Sequence, residues 1–297
     1  LLWISKYYYR VRSMSELVKT GVFTRKEYRS FRKCEDFLWA VRCHLHYLTS
    51  RPEERLTFDV QQELAIRLGY TAHPGLRDVE RFMKHYFLVA KEVGDLTRTL
   101  CTALELRHVK KTSALTRVIH PFRERKRKIK DAPGFVISGN RLNVVDEDIF
   151  KRDPVNLIRM FTIADEANVL FHPDVMRLAT RSLKLVNAVL RKDKEANALF
   201  LDLLTNADDP EAILRRMNEV GVLGKFVPDF GRIVSLMQFN LYHSFTVDEH
   251  LLRAIGFLAE IERGEVEDDH PLSHRIIHEL ENKHVLYVAL FLHDIAK

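Results

Sequence analysis

The sequence predicts a mainly α fold: helical bundles interrupted by one short β-hairpin. Three observations carry that expectation. Apolar residues recur at i, i+3 and i+4 along most of the 297 residues, the spacing that gathers them on one helical stripe. Helix-start signals, Ser/Thr-x-x-Glu and Asp-Pro, punctuate the chain. Only one stretch, Phe135 to Val145, is strongly β-prone, with two runs on either side of Gly139-Asn140.

Taken in order, Ser13 with Glu16 and Thr24 with Glu27 predict capping boxes, each side chain satisfying an orphan amide of the other's turn. From Thr24 an amphipathic run through Phe31, Phe37, Leu38, Val41, Leu45 and Leu48 ends near Arg51-Pro52. A second helix through Val60, Leu64, Ile66 and Leu68 stops at Gly69, and a third runs from about Leu76 to about Leu104. Residues 1–104 are therefore expected to form a helical bundle. Residues 105–152 read as a basic connector carrying the hairpin, which cannot stabilise itself and must lie on a helical neighbour. Asp153 as N-cap with Pro154 at the first position opens a third segment, 153–235, and Asp209-Pro210 repeats the device. Its helical patterns run over 155–167, 174–189, 196–204 and 213–220, and Gly221, Gly224 and Pro228 break them. The last segment, 236–297, holds a helix from Leu251 to Ile261, opened by a Thr246 and Glu249 capping box, and an apolar run from Val288 to Leu292. The chain opens on Leu1 and stops just past that run, which reads as an internal piece of a longer polypeptide.

An apolar content of 46% suits a chain that buries a core. No run approaches 18 apolar residues and the opening lacks a signal-peptide pattern, so a cytoplasmic protein with no membrane partner is expected. Cys34, Cys43 and Cys101 are odd in number and lack CxxC spacing, so they are expected as buried free thiols. The net charge of +6 is uneven: Arg107 to Lys130 holds ten Lys or Arg against one acid, Glu124. The rest of the chain is slightly acidic, which argues against a nucleic-acid-binding protein. The basic stretch reads as a solvated connector, or alternatively as a contact for phosphates or an acidic partner.

His293-Asp294 directly follows five apolar residues, where a carboxylate beside an imidazole is costly to bury unless a metal or partner satisfies it. His250 lies 43 positions upstream, in the first turn of the capped helix, where the helix dipole favours neutral imidazole. Two antiparallel helices would bring His250, His293 and Asp294 around one cation and leave open positions for water. With no thiolate nearby, Mg²⁺ or Mn²⁺ is preferred to zinc, and such an oxygen-seeking ion calls for a further carboxylate beyond Lys297. Lys297, at i+4 from His293, is placed to neutralise charge on phosphoryl oxygens, or is a plain terminal cation. His44, His46, His108, His120 and His172 receive no role.

The H-x6-H-like start ending in Thr-Val-Asp-Glu-His at 246–250, with Leu-His-Asp-Ile-Ala-Lys at 292–297, resembles the HD phosphohydrolase superfamily. Within it, the likeness is to the uridylyl-removing domain of bacterial PII uridylyltransferases. Upstream segments resemble the helical part that follows the nucleotidyltransferase domain in those enzymes: Lys33 to Arg42, Arg55 to Asp59 with Gln61, and Val79 to Phe87. The resemblance implies an enzyme that transfers UMP from UTP to a tyrosine of the regulatory protein PII when glutamine is low. It implies hydrolytic removal of UMP from uridylylated PII when glutamine is high. The family's arrangement of a Gly-Ser turn with an Asp-x-Asp pair does not occur here, nor does anything like its glutamine-sensing domains. The expectation is thus the helical middle plus the first half of the HD domain, inactive alone in both directions. The alternatives are another HD phosphohydrolase, a tRNA nucleotidyltransferase, or a non-catalytic helical scaffold.

Overall fold

The computed structural model describes residues 2–116, 127–129, 132–237 and 245–295. Its mainly α architecture agrees with the sequence. Contacts divide the chain into two compact units, Leu1–Phe122 with Ser235–Ser244, and Arg123–Val234 with Phe245–Lys297.

The first unit contains α1 (Leu2–Tyr9), α2 (Glu16–Lys19), α3 (Arg25–Thr49), α4 (Phe58–Arg67) and α5 (Asp78–Thr116). Thr24 accepts from the Glu27 amide while the Glu27 carboxylate accepts from the Thr24 amide, so the predicted capping box opens α3. Ser50, in the left-handed region, ends it. The box predicted for Ser13 and Glu16 does not form. Its helix starts later, after Ser15; Glu16 accepts from the Arg12 amide at 3.1 Å and the Ser13 hydroxyl meets that of Ser15 at 2.7 Å. The third helix continues past Leu104 to Thr116.

Two apolar clusters set the packing of α3 on α5. Phe31, near the start of α3, buries with Leu96 and Leu100. Val41 and Leu45, near its end, bury with Val79, Phe82 and Met83, and with Leu64 and Ala65 of α4. That order requires α3 and α5 to run antiparallel. Of the three cysteines, Cys34 is buried as expected, but Cys43 and Cys101 are exposed, because the buried stripes of their helices run through other residues.

The second unit carries a four-stranded sheet of order β1-β2-β3-β4: β1 (Arg127–Lys128), β2 (Phe135–Ser138), β3 (Arg141–Val144) and β4 (Leu170–Phe171). The predicted hairpin is its antiparallel centre, with Phe135 opposite Val144 and Ser138 opposite Arg141. Gly139 and Asn140 both have positive φ, 56° and 57°, as a tight two-residue hairpin turn demands. The two outer strands were not expected. Each is two residues long, too short for any periodicity to register. One lies inside the basic stretch read as a connector, the other pairs parallel with β3 just before His172-Pro173.

The helices of this unit are α6 (Ile149–Arg152), α7 (Asn156–Glu166), α8 (Pro173–Arg181), α9 (Ala188–Lys192), α10 (Lys194–Thr205), α11 (Pro210–Val220), α12 (Val222–Phe226), α13 (Pro228–Ile233), α14 (Val247–Arg263), α15 (Pro271–Glu279) and α16 (Lys283–Leu292). Eight of the eleven residues of α7 are buried, so it is a core helix of the unit. Its regular α-helical bonding starts at Asn156, but Asp153 acts as the predicted cap: its backbone is extended and its carboxylate accepts from the Val155 amide, just past Pro154, at 3.0 Å, and from Arg159. Asp209 does cap α11, accepting from the Ala212 amide at 2.9 Å, with Pro210 at the first position. The continuous pattern over 174–189 is broken into α8, a 3₁₀ turn at Leu183–Leu185 and α9. Gly224 and Gly231 let α12 and α13 touch: a Cβ at Gly231 would lie 2.4 Å from the Gly224 carbonyl oxygen.

Candidate metal centre

The sequence of α16 explains how Asp294 comes to be inside. Tyr287 and Phe291, one turn apart, are the fully buried side chains of this helix, and Phe291 stacks on Phe230 of α13 with centroids 5.4 Å apart. Asp294 follows three residues later, on the same face, and is 8% exposed. The His-Asp doublet therefore sits where an apolar stripe ends. It lies just past the helix, since Leu292 is the last helical residue and His293 is the C-cap.

α14 packs against α16 and buries Leu251, Leu252, Ile255 and Ala259. His250 occupies the first turn of α14, and its ring lies edge-on to that of His293 with centroids 5.5 Å apart. One ligand atom from each of His250, His293 and Asp294 lies within 4.8 Å of the others. The three residues proposed from the sequence thus converge, from helices separated by an acidic connection. Lys297, the fourth, lies outside the described residues, as does His243.

The donor set suits a divalent cation. His293 Nδ1 is 2.7 Å from the Leu290 carbonyl oxygen. A carbonyl only accepts, so Nδ1 carries a proton, and in the neutral ring this leaves the Nε2 lone pair as the ligand for a cation. That second bond to a backbone carbonyl is the arrangement by which proteins orient metal-ligating imidazoles. Nε2 is 3.6 Å from Asp294 Oδ1, too long for a hydrogen bond and consistent with two groups facing a common point. Neither imidazole is buried, so the cluster is open on one side.

The first turn of α14 departs from its predicted capping. Thr246 is the N-cap but its side chain makes no capping bond. Glu249 instead receives the guanidinium of Arg215 from α11, at 2.5 and 2.9 Å, and that of Arg253 at 3.3 Å. Burial pushes the Glu249 carboxyl up, but the two arginines outweigh it and hold the group below the ordinary carboxylate value. Asp248, also buried, accepts from Asn218 Nδ2 at 3.2 Å. Sequence reading found neither Arg215 nor Asn218; the available signal was a polar residue at each of two positions along an otherwise amphipathic helix.

Residues 1–101 match the family described as GlnD PII-uridylyltransferase, and residues 135–226 match the uridylyltransferase GlnD third domain. The chain belongs to the GlnD PII-uridylyltransferase family. The first match ends within α5 and the second spans β2 to α12, so together they take in most of the first unit and the sheet-bearing part of the second. His250, His293 and Asp294 lie beyond both, and the case for them as family machinery rests on their geometry. No helix among the described residues is long and apolar enough to cross a membrane.

Proposed function

We propose that this chain contributes the uridylyl-removing site of a bifunctional PII uridylyltransferase: His250, His293 and Asp294 hold Mg²⁺ or Mn²⁺, and UMP is hydrolysed there from the tyrosine of uridylylated PII. The observation that carries the reading is a two-imidazole, one-carboxylate cluster folded within a chain of this family. When bound, a divalent cation supplies Lewis acidity, easing ionisation of water and polarising a phosphodiester.

The chain's own groups prepare that chemistry. Leu290 O fixes the His293 ring and its tautomer. Asp294, shielded from solvent, attracts a cation more strongly than an exposed carboxylate does, because water screens it less. The exposed side of both imidazoles suits a substrate that is itself a protein, whose modified tyrosine must reach the site from outside. In this reading the intact enzyme, cytoplasmic, also transfers UMP from UTP to PII under control of glutamine, and the 297-residue chain alone turns over neither reaction.

The test is divalent-metal-dependent release of UMP from uridylylated PII by the enzyme that carries this chain. His293→Ala and Asp294→Ala should abolish release while transfer to PII persists. Undiminished release by either variant would remove the site assignment.

A further inference from the structure

Resting on the reading of the triad as a metal centre, we propose that Arg215 and Asn218 of α11 are positioning residues for it. They grip the two residues preceding His250 and so fix the direction in which α14 presents that imidazole.

Three observations converge. Arg215 makes a forked pair with Glu249, Nη1 to Oε2 at 2.5 Å and Nη2 to Oε1 at 2.9 Å, and Nη2 also meets Glu211 Oε1 at 2.5 Å. A planar fork of this kind sets orientation as well as distance. Three residues on, and so on the same face of α11, Asn218 donates to Asp248 at 3.2 Å, with both residues under a tenth exposed. Finally, α14 has no side chain at the point where Glu211 passes: a Cβ at Gly256 would lie 2.1 Å from Glu211 Oε2 and 2.9 Å from Glu211 Cβ. The glycine makes room for the acid that holds Arg215.

Directionality is what the rest of the interface lacks. Leu251, Leu252, Ile255 and Ala259, the buried apolar residues of α14, make no directional side-chain bond. His250 lies in the first turn, directly after Asp248 and Glu249, where a small roll swings its ring away from His293. Glu249 serves α11 rather than the Thr246 cap that the sequence offers it. The polar contacts here therefore tie helix to helix at the expense of local helix capping.

A purely structural role predicts lost stability with unchanged metal binding; a positioning role predicts weaker metal binding in a folded chain. Arg159 supplies the control, since it makes a comparable set of pairs with Asp153, Asn156 and Glu195 within the same unit. Mn²⁺ is titrated into the full chain and into Arg215→Gln, Arg215→Lys, Asn218→Ala and Arg159→Gln, with free ion read by electron paramagnetic resonance and folding by circular dichroism. Arg215→Gln and Asn218→Ala should bind Mn²⁺ about 10- to 100-fold more weakly, Arg215→Lys should recover part of the loss, and Arg159→Gln should bind as the parent does. Should Arg215→Gln fail to fold, Arg215→Lys decides: parental affinity in that folded variant overturns the proposal. Equal affinity in all four variants, with His293→Ala still abolishing binding, overturns it and leaves the metal centre intact. An unmodified chain that binds no Mn²⁺ overturns the metal-centre reading, and this inference with it.

Discussion

The Nδ1 proton of His293 is held by Leu290 O, and that single bond decides what the other ring nitrogen can do. The sequence places the imidazole beside a carboxylate; the carbonyl that selects its tautomer is visible only once α16 is folded. Glu249 teaches the opposite lesson. Its spacing from Thr246 satisfies the capping pattern, yet Arg215 offers it two charge-assisted bonds where a cap offers one to a neutral amide, and the stronger partner is 34 residues away. Glu262 is a similar case at the other end of α14. Burial raises its carboxyl, but Lys283 and the Tyr287 hydroxyl, at 2.7 Å, together hold it below the ordinary value. A carboxyl depressed in the folded state adds stability that is fully present above its unfolded value, about 4.3, and is lost as pH falls through the lower folded value. Urea unfolding at a series of pH values from about 7 down to about 3 should therefore show a stability loss that shrinks in Glu262→Gln. An unchanged slope in that variant would mean the pairing contributes nothing.

Helix existence and type follow from apolar spacing, and α3, α4, α11 and α14 lie close to where that spacing puts them. Helix starts are less legible, because a capping signal shows only that a bond is possible. Thr24–Glu27 makes the bond in both directions, and Ser13–Glu16 does not. The expected consequence is a contrast between two alanine substitutions. Thr24→Ala should destabilise the protein by about 1 kcal/mol, whereas Ser13→Ala should stay within roughly 0.5 kcal/mol of the parent, both measured by chemical denaturation. Equal effects would show that the Thr24 box carries no special weight. The β1 and β4 strands were illegible for a different reason: two-residue strands owe their conformation to the neighbour they pair with, not to their own sequence. The hairpin was legible because Gly139-Asn140 encodes its turn locally.

At the level of the whole molecule, the mainly α character and the family could be read from the sequence, the first from periodicity and the second from motifs spread along the chain. The convergence of His250 with His293-Asp294 was legible as a hypothesis, since two apolar helices with an intervening connection allow it. What remained out of reach was the support from α11, whose partners lie in α14, distant in sequence. In the proposed reading, His250, His293 and Asp294 form one divalent-metal centre. Titration of Mn²⁺ into the chain, followed by electron paramagnetic resonance, tests it most directly. One saturable site per chain is predicted, lost in a folded Asp294→Asn variant; absent saturable binding, or binding that survives Asp294→Asn unchanged, would contradict it.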